Sequence, residues 1–318
     1  MIISETSTIL ESFKKELNES HELRVISSLQ EDKDYFLSNF TGDPYLDQLD
    51  FIWEKRQKTK AHITFAISKT NAAVSLPQAP FGGFWIQEGL SSAALQGFLL
   101  AIQHEMHQRG ITSIAITQSP KPYEPQADLI NYLLFKNGFE LTKVLCHHFF
   151  IGKKKINKLA QKETAKLQSK VKDVGLKVSH SSITNFGFLN EIRAWSALKG
   201  YEVAIDENRI VQQVSEYPNR YFLITMSKNG IAIGYSLAVK LTSDSLYYFL
   251  SAIDPKFPVK NGGELILNEL FLLAMEQKVG LIDLGSSDLE EGANHNLMFF
   301  KSRFSNDIQS KSTWVKKI

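Results

Sequence analysis

Apolar and polar positions alternate in the same order in the two halves of the chain. In the first half, ITFAISKTNAAVSL (63–76) has two apolar runs that flank a polar turn, and FLITMSKNGIAIGYSLAV (222–239) repeats this pattern in the second half. Short apolar runs on either side of a turn predict strands. Asn229-Gly230 is a strong hairpin signal, because both turn positions need positive φ. The sequence therefore predicts one antiparallel β-hairpin in each half.

A long helix, a strand and a second helix are predicted after each hairpin. The long helices are predicted over 91–110, beginning at a serine cap, and over 262–280. The strands that follow are TSIAITQS (112–119) and LIDLGSS (281–287), and the second helices end in the pairs Phe135-Lys136 and Phe300-Lys301. Four features in the same order predict an internal repeat, and the order of elements in the repeat predicts the fold class.

The predicted fold class is α/β, with a mixed sheet and two tandem domains. The domains are expected at residues 1–152 and 153–318, and the second includes a basic connecting helix at 153–175. Further helical material is expected at about residues 4–19 and 32–58 before the first hairpin, and at 181–217 before the second. A length of 318 residues suits two domains of ordinary size.

Composition narrows the function classes only slightly. The net charge of +2 gives no overall attraction to nucleic acid or to anionic membranes. The single cysteine, Cys146, excludes an internal disulfide framework, and no metal site is expected. The first residues lack the pattern of a secretory signal, and no apolar stretch is long enough to span a bilayer, so a cytoplasmic location is expected.

Three stretches of the second half resemble one enzyme superfamily. They are Ile253-Asp254-Pro255 with the loop Lys260-Asn261-Gly262-Gly263-Glu264, the run Leu281-Ile282-Asp283-Leu284-Gly285, and Phe300-Lys301-x-x-Phe304. In this order they resemble the GNAT (Gcn5-related N-acetyltransferase) superfamily, in particular its tandem, FemABX-like members. The basic segment 166–176 and Ala79–Gly83 in the first half are similar to further stretches of such proteins. Two residues depart from the pattern: Leu265 stands where the family has a small residue, and Ser305 stands where it has glycine.

The resemblance implies a transferase. It would move an acyl or aminoacyl group from acetyl-CoA, another acyl-CoA or an aminoacyl-tRNA to an amine acceptor, with no tightly bound cofactor. The acceptor would be a small molecule or a cell-wall precursor, with tRNA as a further partner, and the oligomeric state stays open. The alternative is a non-catalytic binding protein on a degenerate tandem acyltransferase fold, which the two departures favour. The second copy is expected to be the working one and the first a scaffold.

The loop Lys260, Asn261, Gly262, Gly263 and Glu264 is the predicted donor-binding site. Glycines at the start of a helix let a ligand approach the backbone, and the free N–H groups with the helix dipole favour an anion. Lys260 adds a positive charge that suits a pyrophosphate or an RNA phosphate. The alternative is a plain turn from a strand into a helix.

Lys301, Tyr248 and Asp283 are the predicted catalytic residues. Lys301 lies where the resembling enzymes have a lysine that assists transfer, and a cation there would stabilise an oxyanion. Acyl transfer also needs a proton donor and a base, for which Tyr248 (or its neighbour Tyr247) and Asp283 are the candidates. For each residue the alternative is a packing role.

Lys166 and Lys170 are the predicted substrate-binding residues. Together with Lys158 and Lys162 they recur at a spacing of four, which places them along one helix face that could hold phosphates. The alternative is an ordinary solvated face. His147-His148 is interpreted as structural, because neighbouring residues of a strand point to opposite faces.

Overall fold

The computed structural model describes residues 21–27, 35, 44–172, 175–200, 203, 206–289 and 292–318, without the side chains of 163–172. Within these residues the chain divides into two compact units. Unit 1 contains the described parts of Asn39–Leu145, the first strand and Gln309–Ile318. Unit 2 contains the described parts of Cys146–Ile308 together with Tyr35.

Unit 1 is built on a sheet whose central strands are joined through a helix. Its elements are β1 (His21–Ser27), β2 (Tyr45–Lys55), β3 (Lys58–Ser68), β4 (Ala72–Ser75), β5 (Trp85–Ile86), α1 (Ser92–Gln108), β6 (Ser113–Thr117) and α2 (Ala127–Lys136). Strands β1 to β4 pair antiparallel in chain order, and β4 pairs with β6 in parallel after the crossover through α1. The core lies between this sheet and α1, where Phe65, Phe98 and Ile114 are fully buried.

Two strands have residues in both units. Strand β7 (Glu140–Ile151) changes from unit 1 to unit 2 after Leu145, and β15 (Asp307–Lys317) changes from unit 2 to unit 1 after Ile308. Thr313–Lys317 of β15 pair antiparallel with β6 in unit 1, in a register that matches Thr313 with Thr117. The domain boundary at residue 152 stays a prediction.

Unit 2 has a similar order of elements. They are α3 (Lys153–Lys172), β8 (Leu176–Ser182), α4 (Gly187–Leu198), α5 (Glu207–Glu216), a 3-10 turn (Pro218–Arg220), β9 (Tyr221–Lys228), β10 (Ile231–Val239), β11 (Ser245–Ile253), α6 (Gly262–Glu276), β12 (Leu281–Ser286), β13 (Asp288–Leu289), β14 (Gly292–Ala293) and α7 (His295–Ser302). Strands β8 to β11 pair antiparallel, and β11 and β12 pair in parallel through the crossover helix α6. The end of β7 pairs antiparallel with β12.

The predicted hairpins, long helices and following strands are confirmed. Asn229 and Gly230 form the turn between β9 and β10 with φ values of 50° and 82°. Ser91 caps α1 by accepting a hydrogen bond from the Ala94 N–H at 3.2 Å. Both helices that end in Phe-Lys are present as α2 and α7. The fold class, α/β with a mixed sheet, is confirmed as well.

The prediction of a helix over 32–58 is wrong for residues 45–55, which the structure describes. Tyr45–Lys55 is a strand, and Leu49, Phe51 and Trp53 point into the core while alternate residues face outward. A period of two with aromatic side chains favours a strand, and this periodicity outweighs the scattered polar residues. The helix predicted at about 4–19 lies outside the described residues. In the second copy the expected helices are confirmed as α4 and α5.

The basic connecting helix contributes to the core of unit 2. Ile156 and Ala160 of α3 are buried against α6, whereas Lys158 and Lys162 are exposed. The amphipathic pattern is therefore confirmed for the part of α3 whose side chains are described. The side chains of Lys166 and Lys170 lie outside that part.

The β9–β10 turn provides a test of the fold. Gly230 has φ of 82°, and no atom lies near the position of an added Cβ. Gly230→Ala therefore changes only the conformational free energy of the backbone. We expect it to lower the free energy of unfolding by about 1 kcal/mol or more, measured by urea denaturation. The control is Gly187→Ala at the start of α4, where an added Cβ makes only an ordinary contact with Asn185 at 3.6 Å. Equal losses in both variants would contradict the role of the turn.

Candidate active site

The parallel strands β11 and β12 separate inside unit 2. Their ladder ends at the pair Tyr247 and Asp283, although β11 continues to Ile253 and β12 to Ser286. Gly285 has φ of 72°, a left-handed conformation that glycine adopts without strain. The register between β12 and β7 also shifts between Asp283 and Ser286. His147, Asp283 and Lys301 are grouped around this point of separation.

Lys301 is buried beside the end of β12. It is on α7, only 5% of its surface is exposed, and its Nζ donates hydrogen bonds to the carbonyl oxygens of Gly285 (3.3 Å) and Ser286 (2.5 Å). Burial lowers the pKa of Lys301 to about 8, against the opposing influence of the Asp283 and Asp288 carboxylates. A buried amine that exchanges its proton near neutral pH is a common feature of active sites.

The matching lysine of the first copy has a different environment. Lys136 is exposed, and its Nζ lies 5.7 Å from the ring centroid of Tyr132, also on the surface of α2. The two Phe-Lys pairs therefore share a position in the repeat and differ in burial. A purely structural motif would be expected to place both lysines alike.

Asp283 and His147 form a buried pair next to Lys301. His147 Nδ1 donates to Asp283 Oδ1 at 3.2 Å, and the same oxygen accepts from the Gly285 N–H at 2.7 Å. Both side chains are about 1% exposed. Within the described residues, His147 Nε2 is buried without a hydrogen-bond partner. An aspartate that fixes one imidazole nitrogen and leaves the other unpaired is the arrangement of a general base.

Two further buried polar atoms near this pair lack partners among the described residues, Ser287 Oγ and His148 Nδ1. Burial lowers the pKa of His148, and the charge of Lys301 lowers it further. The Cys146 N–H donates to Asp288 at 3.0 Å, and burial raises the pKa of its thiol. Buried polar groups are nearly always paired, so several unpaired ones in one region point to a function other than stability.

Tyr247 and Tyr248 occupy opposite faces of β11, as alternation requires. Tyr248 packs against the core formed with α6, and burial raises the pKa of its hydroxyl while Ser251 and Ser236 act to lower it. Tyr247 pairs with Asp283, and a Cβ on Gly285 would lie 3.4 Å from its ring. Burial raises the pKa of Tyr247, and Asp283 adds to the effect. Tyr247 is therefore the tyrosine nearer to Asp283 and to the carbonyl that holds Lys301.

The loop Lys260–Glu264 forms the start of α6, beside the helix that carries Lys301. Asn261 is the N-cap residue with φ of 61°, and it makes no side-chain capping bond. A Cβ at Gly262 would lie 3.0 Å from Ile253, and one at Gly263 would lie 3.1 Å from the Phe300 ring. Both glycines therefore have a packing reason, in addition to the close approach that a ligand would need.

The charged residues of this loop differ in their partners. Glu264 forms an ion pair with Arg303, the C-cap residue of α7, while Lys260 is exposed. Leu265, one of the departures from the family pattern, is 8% exposed and packs in the core of unit 2. Its side chain fills the core, so the departure there leaves the N–H groups at the start of α6 unchanged.

Solved structures are similar to this chain over most of its length. A structure of FemX aligns with a TM-score of 0.60 and 11% identity, covering 85% of this chain and 87% of that one. A tandem GNAT protein from the clavulanic acid biosynthesis pathway aligns with a TM-score of 0.55 and 10% identity, covering 94% of this chain and 98% of that one. L-PGS from Bacillus licheniformis aligns with a TM-score of 0.52 and 15% identity, covering 98% of this chain and 91% of that one. No family model and no curated protein matches the chain.

The chain has a GNAT-like fold of the FemABX type. All three identities are low, so the similarity concerns the fold alone. The resemblance read from the Lys260 loop, the Asp283 strand and the Lys301 helix is thereby confirmed at the level of fold. The roles of individual residues stay predictions.

Sequence reasoning missed His147 as a partner of Asp283. The GNAT-like fold places them together because β7 pairs with β12, two strands that are 136 positions apart at these residues. A His-His pair at the end of a strand was the only local signal.

Within the described ranges, none of the helices is both long and apolar enough to cross a membrane.

The lowered pKa of Lys301 predicts a pH dependence of stability. The folded state releases this proton near pH 8 and the unfolded chain near 10.5, so between these values the unfolded state binds more protons. Stability from this group therefore rises with pH across that window, by on the order of 3 kcal/mol. Urea unfolding of the wild type and of Lys301→Met across this range measures the effect.

The control variant is Lys136→Met, which removes the exposed lysine at the matching position. It should keep the wild-type slope of unfolding free energy against pH, because no buried amine is lost. If Lys301→Met and the wild type showed the same slope, the burial of Lys301 and its lowered pKa would be contradicted.

Proposed function

We propose that unit 2 is a transferase that moves an acyl or aminoacyl group onto an amine. The observation that carries the proposal is the buried Lys301, held by the carbonyl oxygens of Gly285 and Ser286 where β11 and β12 separate. The GNAT-like fold supports the reaction class by analogy. The contrast with the exposed Lys136 supports a role beyond packing.

Lys301 stabilises the negative charge that forms on the carbonyl oxygen. An ammonium group has three N–H donors, and in the described residues two hydrogen bonds from Lys301 are directed to Gly285 and Ser286. The remaining donor is available to the oxyanion that forms when the amine attacks the carbonyl carbon. Since the other two bonds fix its orientation, little reorganisation is needed during the reaction.

Proton transfer completes the reaction. The attacking amine loses a proton to His147 Nε2, which Asp283 holds in orientation through Nδ1. The tetrahedral intermediate then expels the donor's leaving group, which takes a proton from the Tyr247 hydroxyl. Asp283 thus acts through His147 rather than as the base itself, and Tyr247 replaces Tyr248 as the donor because of its position beside Gly285.

The donor is proposed to bind with its phosphates at the start of α6. The N–H groups there lack a side-chain cap, and Lys260 adds an exposed cation. Acetyl-CoA or another acyl-CoA is the first candidate, and an aminoacyl-tRNA is the second. Lys166 and Lys170 of α3 remain candidates for contacts with tRNA phosphates. The acceptor is a small-molecule or cell-wall-precursor amine.

Thermal unfolding with and without acetyl-CoA tests the donor site. At about 100 times its dissociation constant, the ligand should stabilise the protein by about 2.7 kcal/mol, which raises Tm. Lys260→Ala should lose most of this shift, and Lys256→Ala, an exposed lysine shortly before the loop, should keep it. Stabilisation by aminoacyl-tRNA alone would select the second donor. The absence of any shift with either donor would favour a non-catalytic binding protein.

Acyl transfer to a panel of small amines and a lysine-containing peptide tests the site residues. Lys301→Met should lower kcat by about 10²–10³, the usual loss for an oxyanion donor, with little change in the donor's Kd. Lys136→Met should keep the wild-type rate. The wild-type rate should fall as pH rises through about 8, because the cationic form of Lys301 is then lost.

His147→Asn separates the proton acceptor from the oxyanion donor. The asparagine amide lies near the position of Nδ1 and can donate to Asp283, while the second ring nitrogen is removed. We therefore expect a loss of about 10²–10⁴ in kcat while folding is preserved. A rate near that of the wild type for either Lys301→Met or His147→Asn would overturn the assignment of that residue.

A further inference from the structure

Phe249 of unit 2 is an exposed aromatic residue that belongs to neither hydrophobic core. It lies in the middle of β11, and 40% of its surface is exposed. The core of unit 2 includes its neighbour Tyr248 but not Phe249. A single exposed phenylalanine is ordinary on a protein surface, so its exposure alone assigns no role. Its position in the sheet, beside the proposed active site, gives the exposure a meaning.

The pairing of β11 is interrupted at Phe249 on both of its sides. Toward β10 the register shifts between Leu237 and Ala238, so Phe249 is the extra residue of a β-bulge. Toward β12 the ladder ends two residues before Phe249, at the pair Tyr247 and Asp283. Bulges next to active sites commonly re-aim a side chain. The bulge therefore places Phe249 at the point where β11 and β12 separate.

The proposed reacting groups lie on the face of the sheet that is turned away from α6. Asp283 pairs with Tyr247 of β11 and is hydrogen-bonded to His147 of β7, so these three side chains share one face. The neighbouring residues Tyr248 and Ile282 point to the other face, into the core formed with α6. The proposed donor loop begins α6. An amine that gives its proton to His147 therefore approaches from the face opposite to the donor helix.

Phe249 extends this face next to the proposed acid. Its ring centroid lies 5.9 Å from that of Tyr247, which is within the contact range of aromatic pairs. Tyr247 in turn is beside Gly285, whose carbonyl oxygen holds Lys301. The exposed part of the Phe249 ring is thus one side chain away from the reacting groups. It offers neither charge nor a hydrogen-bonding group, so it can bind only apolar or aromatic surface.

We propose that Phe249 determines the acceptor specificity by binding an apolar group close to the acceptor's amine. The acceptor class is then an alkyl or arylalkyl amine. A strongly hydrophilic amine, such as an amino sugar, would place hydroxyl groups against the ring, where they gain no hydrogen-bond partner. This inference rests on the proposed transferase function, because the position of His147 and Tyr247 fixes the face from which the amine approaches.

The test compares phenethylamine with ethylamine, which differ by one phenyl group, as acceptors for the full chain. The donor is acetyl-CoA or aminoacyl-tRNA, whichever stabilises the protein in thermal unfolding. We expect the wild type to prefer phenethylamine by about tenfold or more in kcat/KM, because an apolar group of this size is removed from water. Phe249→Ala should lose most of this preference, mainly through a higher KM for phenethylamine. Phe249→Leu, which keeps an apolar side chain, should retain part of it.

Ile231→Ala is the matched control variant. Ile231 is an exposed apolar residue of the same unit, but it lies at the start of β10, whereas the end of that strand pairs with Tyr247. Ile231→Ala should keep the ratio of the two kcat/KM values within about twofold of the wild-type ratio. Equal kcat/KM values for both amines in the wild type, or an unchanged preference in Phe249→Ala, would overturn the proposal.

A binding measurement separates this proposal from the transferase function itself. In NMR titrations of the full chain, phenethylamine should bind the wild type about tenfold or more tightly than ethylamine, and Phe249→Ala should lose this difference. If neither amine is acylated while the difference in binding is present, the transferase function is wrong and the apolar site is upheld. If the wild type binds both amines equally, the assignment of Phe249 is wrong, whatever the rate of transfer.

Discussion

The short parallel ladder between β11 and β12 is the constraint on which the site of unit 2 depends. The strands join through α6 and pair only as far as Tyr247 and Asp283. Beyond that point the left-handed Gly285 turns the backbone, so that its carbonyl and that of Ser286 meet Lys301. If the ladder continued, these carbonyl groups would be directed into the sheet and the lysine would have no place at its end.

Burial gives this arrangement its chemistry. A lysine that keeps most of its hydration stays protonated at all physiological pH values, whereas burial brings the pKa of Lys301 to about 8. The same low-polarity surroundings strengthen the hydrogen bond between His147 and Asp283. A strongly polar cluster at this depth is costly, which argues for retention through function rather than through stability.

Much of the fold could be predicted from local sequence. The Asn229-Gly230 turn, the Ser91 cap and the two helices that end in Phe-Lys each carry a local signal, and each is present. The strand at 45–55 was mistaken for a helix, because its alternation of buried residues is interrupted by polar ones. Lys301 and Asp283 could be found by their resemblance to family motifs.

Other parts of the site depend on pairing between distant strands. His147 meets Asp283 only because β7 pairs with β12, and the choice between Tyr247 and Tyr248 follows from which face of β11 turns toward Gly285. Spacing along the chain contains none of this information, since each contact is set by sheet register and helix packing.

The most direct test of the central claim is a titration of Lys301 by nitrogen-15 NMR of the lysine side-chain amines. The Lys301 resonance is assigned by its loss in Lys301→Met. We expect a midpoint near pH 8, well below the value of about 10.4 for a solvated lysine. A midpoint near 10.5 would show that the amine is solvated, and would contradict a buried, preorganised cation at the end of β12.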